Sequence, residues 1–233
     1  MTIHLLPALT PPINNPGTGR WYGVYPATVS DNQDPDGQGR VRVVLPWAPD
    51  GSESYDAWAR LATTMAGNAR GTWFIPEIDD EVLVGFGAGS PDHPYVVGAL
   101  WNGQDAAPEA IDSDNNIRAI VSRGDIRIVF DDHDGAEVLT LSTPGGRKVT
   151  LSDAGQTLRV EDPLGNSVEL ASSGITVQTS GKLSMSASTI DISASTITAN
   201  VPMSTFSGVV KVDTLLATTV VSSAYTPGAG NVW

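Results

Sequence analysis

Val149-Thr150-Leu151, Leu158-Arg159-Val160, Val168-Glu169-Leu170, Ile175-Thr176-Val177, Leu183-Ser184-Met185 and Ile190-Asp191-Ile192 repeat one phrase, apolar–x–apolar. Ile197-Thr198-Ala199 is a weaker last rung. Alternate residues of a strand share a face, so each phrase puts two apolar side chains on one side. The pairs start 9, 10, 7, 8, 7 and 7 residues apart. That spacing is too short for a helical repeat and reads as too short for hairpins of normal strands. Two apolar side chains per strand cannot enclose a core within one chain. Several copies wound around an axis can, with Val149, Leu151, Leu158, Val160, Val168, Leu170, Ile175, Val177, Leu183, Met185, Ile190 and Ile192 turned inward. The ladder predicts an oligomeric β-rod, and a rod suggests a mechanical task.

The front of the chain differs in kind. Five of the six Trp lie within the first 101 residues, giving that part the content of a compact core. Residues 1–20 read as an extended arm rich in Pro and Asn. Trp21–Ser30 alternates, Asp31–Gly39 is a polar turn, and Val41, Val43 and Leu45 alternate on a return strand. Further strands are expected at Ala57–Ala66, Glu81–Phe86 and Pro94–Trp101, and no helix is evident. Five strands over 21–103 suggest a small closed barrel. Residues 104–117 are a polar linker, 118–205 the rod, and 206–233 its tip.

A net charge of −13 from only 13 basic residues leaves no footprint for nucleic acid and keeps a long rod soluble. Aromatics at Tyr22, Trp47, Trp58, Trp73 and Phe74 are therefore expected to pack the barrel and its interfaces. No cysteine is present, which rules out disulfides and thiolate chemistry. The N-terminus lacks the basic and apolar regions of a signal peptide, and no stretch is apolar enough for a membrane helix. Asp131, Asp132, Asp134 and Gly135 lack the full spacing of a calcium loop. Asp79, Asp80 and Glu81 are consecutive, not a facing pair of carboxylates. No nucleophile elbow is found. No catalytic, cofactor or metal site is expected.

Five runs occur in an order that resembles one family. They are Trp21-Tyr22-Gly23-Val24-Tyr25, Asp34 through Val43, Trp58-Ala59-Arg60, Phe74 through Phe86, and Pro91 through Gly103. Followed by the ladder, they resemble the OB-fold domain of contractile-tail spikes: phage baseplate assembly protein V and the VgrG spike of type VI secretion. The resemblance covers about residues 20–200. It implies an all-β fold with an N-terminal OB-fold barrel as collar and a C-terminal intertwined trimeric β-helix or β-prism needle. It further implies a homotrimer at the centre of a tail baseplate, assembled in the bacterial cytoplasm, that punctures a target envelope and touches its membrane only on contraction. Only about 20 residues precede Trp21, so a separate hub protein is expected at the barrel end. Some spikes of this family bind iron through a His-x-His tip; no histidine follows His133 here, so a PAAR-type tip protein is expected instead. Tyr225, Pro227, Val232 and Trp233 would form its docking surface or fold back to seal the core. A trimeric adhesive fibre, binding a receptor or polysaccharide, is the alternative from a different class.

Overall fold

Alternation of buried and exposed residues on short strands builds the front of the molecule. The computed structural model describes residues 19–45 and 54–224. Most of the arm, Trp47 and the proposed docking residues Tyr225, Pro227, Val232 and Trp233 lie outside these. The chain divides into two units, Met1–Lys182 and Leu183–Trp233.

In the first unit, β1 (Val24–Asp31), β2 (Val41–Leu45), β3 (Tyr55–Leu61), β6 (Glu81–Phe86) and β7 (Pro94–Ala99) close into a barrel in the order β1-β2-β3-β7-β6. β3 and β7 run parallel while the other neighbours are antiparallel, an arrangement consistent with an OB fold. Between β3 and β6 lies only a two-residue-per-strand hairpin, β4 (Ala66–Gly67) and β5 (Arg70–Gly71). The expected third strand starts earlier and stops sooner than the sequence suggests, because Thr63–Thr72 turns away into this hairpin. Val29, Val41, Val43, Leu45, Ala59, Val82 and Val84 are fully buried and fill the barrel.

The aromatic core uses other residues than expected. Trp21 packs edge-on against Tyr55 and Phe86, each with ring centroids 4.9 Å away, and Tyr25 joins from 5.6 Å. Burial pushes the Tyr55 hydroxyl up to about 12, helped by the charges of Asp92 and Asp56. Tyr22, Trp73 and Phe74 are exposed instead, and Trp58 is half-buried. They sit on outward positions or in loops, where alternation gives no inward direction.

The β1–β2 loop is closed by one buried carboxylate. Asp34, 4 % exposed, pairs with Arg40 at 2.6 Å. It also accepts the backbone N–H groups of Asp36, Gln38 and Arg40. The Arg40 guanidinium, followed by these N–H groups, holds the carboxyl well below the usual carboxylate range.

Beyond the barrel, seven five-residue strands form a single antiparallel sheet. They are β8 (Ile117–Val121), β9 (Arg127–Asp131), β10 (Val138–Ser142), β11 (Lys148–Ser152), β12 (Thr157–Glu161), β13 (Ser167–Ala171) and β14 (Gly174–Gln178). Each pairs with the next, so the sheet is a meander with β8 and β14 at its edges. This corrects two expectations. The spacing points away from hairpins, yet 148–178 consists of them, because five-residue strands of ordinary length joined by turns of two to five residues fit that spacing. Strands β9 to β13 also have both sides paired within their own chain, which leaves only the edges β8 and β14 open to another copy. In the second unit, residues 183–224 contain no helix and no strand among the described residues.

Two results are expected. Leu45→Ala costs about 2–5 kcal/mol of barrel stability, read by chemical unfolding, because Leu45 is wholly enclosed. Asp34 contributes stability that is complete above the ordinary value of 3.8 and drains as pH falls below it, since its folded-state pKa is depressed. Asp34→Asn therefore lowers the melting temperature at neutral pH and flattens its decline between about pH 4 and pH 2.

Candidate assembly interface

Register decides which side chains of the meander share a face. Directly opposed residues in an antiparallel pair point the same way. Following the pairs Ile120–Ile128, Phe130–Leu139, Leu141–Val149, Leu139–Leu151, Val149–Val160, Leu151–Leu158, Leu158–Leu170, Val160–Val168, Val168–Val177 and Leu170–Ile175 traces one continuous face. Every strand gives it two residues. All are apolar except Arg118, which stands opposite Phe130 at the β8 edge and pairs with Asp132.

The other face carries the charge. Arg127, Asp131, Lys148, Arg159, Glu161 and Glu169 all lie on it by the same register. Arg159 bridges Glu161 at 2.8 Å and Glu169 at 2.7 Å. Arg127 bridges Asp125 at 2.6 Å and the linker's Glu109 at 2.7 Å. These pairs are partly exposed and screened by solvent, so they add little to stability. They keep this face wet.

Nothing in the described residues of the first unit covers the apolar face. Leu151, Leu158, Val160, Val168 and Leu170 are all exposed, and exposure reaches 72 % for Ile175 at the β14 edge. Single exposed apolar residues are ordinary, but a whole sheet face of them marks an interaction surface. Covering each half-exposed side chain recovers on the order of 1 kcal/mol.

Of the twelve residues expected to form an axial core, the structure brings eight together on this face: Val149, Leu151, Leu158, Val160, Val168, Leu170, Ile175 and Val177. Leu183, Met185, Ile190 and Ile192 fall in the second unit, where they are exposed. The sequence list missed Ile120, Ile128, Phe130, Leu139 and Leu141. Leu139-Thr140-Leu141 and Ile128-Val129-Phe130 carry the same i, i+2 apolar spacing as the later rungs, so their signal is present in the sequence; only Ile120, beside Arg118, lacks it.

The turns hold the meander at fixed length. Ser122, Thr143 and Asp162 each close a turn by accepting the backbone N–H four residues on. Asp131 accepts the His133 ring nitrogen at 2.5 Å, which raises the imidazole above its ordinary value and lowers the carboxyl. This pair belongs to an exposed turn. Among the described residues no group of three or more His, Asp or Glu is placed to hold a metal ion. His93 sits in the β6–β7 turn, where its backbone carbonyl accepts the Gly87 N–H.

Comparison with known proteins assigns both halves. Residues 25–101 match the type VI secretion system/phage-baseplate injector OB domain. Residues 137–203 match the phage baseplate V C-terminal trimerisation domain, which contains most of the apolar face. The type VI secretion spike protein VgrG3 of Vibrio cholerae is 31 % identical over 114 residues, 46 % of this chain and 11 % of that protein. VgrG4b of Pseudomonas aeruginosa is 32 % identical over 132 residues, 56 % of this chain and 13 % of its own length. The actin cross-linking toxin VgrG1 of Vibrio cholerae is 35 % identical over 75 residues, 31 % of this chain and 7 % of that protein. This chain thus spans a small part of the length of the relatives it matches.

Neighbouring substitutions on β13 separate the two faces. Glu169→Gln is expected to leave the solution mass unchanged and to shift stability by about 1 kcal/mol at most. Leu170→Asp, one residue on and facing the other way, is expected to abolish assembly, as size-exclusion chromatography would report.

Proposed function

This chain belongs to the phage baseplate V family of contractile-injection spikes, and we propose that it is the central spike of such a machine. Three copies bring their apolar sheet faces to a common axis and form a needle, with three OB barrels as its collar. The residues carrying the core are Val149, Leu151, Leu158, Val160, Val168, Leu170, Ile175 and Val177, continued by Leu183, Met185, Ile190 and Ile192. The collar meets the hub of the baseplate, and the far end of the needle meets a PAAR-type tip protein through Tyr225, Pro227, Val232 and Trp233.

One observation carries this reading: the sheet that follows the OB barrel has one face that is apolar but for Arg118 at its edge and is uncovered within its unit, while the opposite face holds nearly all the strand charges. A free monomer would expose that face to water. A three-fold axis covers it and leaves the charged side outward, as a soluble rod requires.

The action is mechanical. Sheath contraction drives the needle into the target envelope, and stiffness comes from the backbone hydrogen bonds of each meander together with a dry axial core. The spike performs no bond-making step of its own. The relatives named VgrG are spike proteins, and the toxin among them shares only 75 aligned residues with this chain.

The test is replacement in the producing cell. Ile190→Asp places three carboxylates on the proposed axis and is expected to yield no injection-competent particles by electron microscopy and target-cell killing. Wild-type activity from that variant would contradict the needle. Release of soluble fragments from purified cell wall by the isolated protein would contradict the mechanical account.

A further inference from the structure

The barrel has two uncharged surface features that its own core does not use, and they differ in shape. The first is a slot on the outer surface of β1, β6 and β7. Val24 pairs with Gly85, and Pro26 with Leu83, outside the buried Tyr25 and Ala27. On β7 the register slips between the partners of Leu83 and Val84, and the extra residue is Val97. Val97 already faces outward by alternation after the buried Val96, and the bulge brings Gly98, opposite Leu83, to the same side. Val24 is 55 % exposed and Val97 49 %. Gly85 lies bare between them: a Cβ there would sit 3.7 Å from Val24 and 3.9 Å from Val97. Gly98 beside them has nothing within 4 Å of its missing Cβ. Glycines inside a strand often mark where another surface comes close.

The second feature is a knob. Trp73 is 76 % exposed and Phe74 69 %. The Trp73 ring edge rests against Gly39, whose added Cβ would lie 3.3 Å away, so the indole is backed by the β1–β2 loop. It stands as the wall between two hollows, one of about 610 Å³ and one of about 250 Å³. Gly39 leads into β2, and the larger hollow reaches Leu61 of β3. β2 and β3 border the outer strands of the slot, β1 and β7, but not its central strand β6, so the knob lies across the barrel from the middle of the slot.

A three-fold ring needs this arrangement. A two-fold contact joins like to like, but a cyclic trimer closes by joining one patch to a different patch on the next copy. The part of the trimerisation-domain match up to Lys182 lies in the same compact unit as the barrel, so a three-fold axis through that part gathers three barrels round it. We infer that Trp73 and Phe74 of each copy seat in the Val24–Gly85–Val97 slot of the next, closing the collar as a ring of three identical contacts. The inference rests on the trimeric reading above and adds a second, separate interface to it.

The chain contains no cysteine, so introduced thiols are the sole ones present. In the full-length protein, Phe74→Cys with Gly98→Cys, treated with a short bismaleimide, is expected to give covalent dimers and trimers on a denaturing gel. Either substitution alone is expected to give none, because like patches do not meet. A second measurement spares Phe74. Trp73→Ala is expected to raise deuterium uptake across 94–99, and Val97→Arg to raise it across 72–75. A protein of trimeric mass with no cross-link and no such reciprocal change overturns the ring contact and leaves the spike reading intact. A monomeric mass overturns both.

Discussion

The constraint on which the rest depends is the uncovered apolar face of a one-layer sheet. A sheet of five-residue strands, nearly all giving two apolar residues to one face, has no second layer within its unit to pack against. The hydrophobic effect therefore cannot be satisfied within the described residues of that unit. The barrel solves the same problem by closing on itself around Val29, Val41, Val43, Leu45, Val82 and Val84. The meander is long and open, and other copies are the cover that its symmetry allows. Charges on the opposite face, with a net −13 for the chain, keep the outside of such an assembly apart from its neighbours.

Much of this was legible in the sequence, for identifiable reasons. Alternation at Val41, Val43 and Leu45 marks a barrel strand, and these residues are buried; Val82 and Val84 are buried too, although the apolar Leu83 between them hides their alternation in the sequence. The repeated pairs from Val149 onward mark one apolar face, because period two survives whatever the strands pair with. What they pair with was not legible. Five-residue strands are of ordinary length, and with turns of two to five residues they fit the spacing, so spacing alone does not separate hairpins from pairing between copies.

Other features left weaker traces. The Asp34–Arg40 pair spans a turn whose glycines suggest only flexibility, and nothing in the residue types says that the carboxylate is buried. The inward aromatics Trp21, Tyr25, Tyr55 and Phe86 could not be told from the outward Tyr22, Trp73 and Phe74 by composition. Burial depends on register and on where a strand ends, and the strand after Leu61 ends sooner than its apolar content suggests. The bulge at Val97 is likewise silent in the sequence, since Val-Val-Gly reads as uninterrupted strand.

The measurement closest to the central claim is the solution mass of the intact protein by light scattering at neutral pH. The account predicts three times 24.4 kDa, persisting on dilution because the axial core is apolar and continuous. A stable, soluble monomer with the sheet folded would contradict it, since the face running from Ile120 to Val177 would then need no cover.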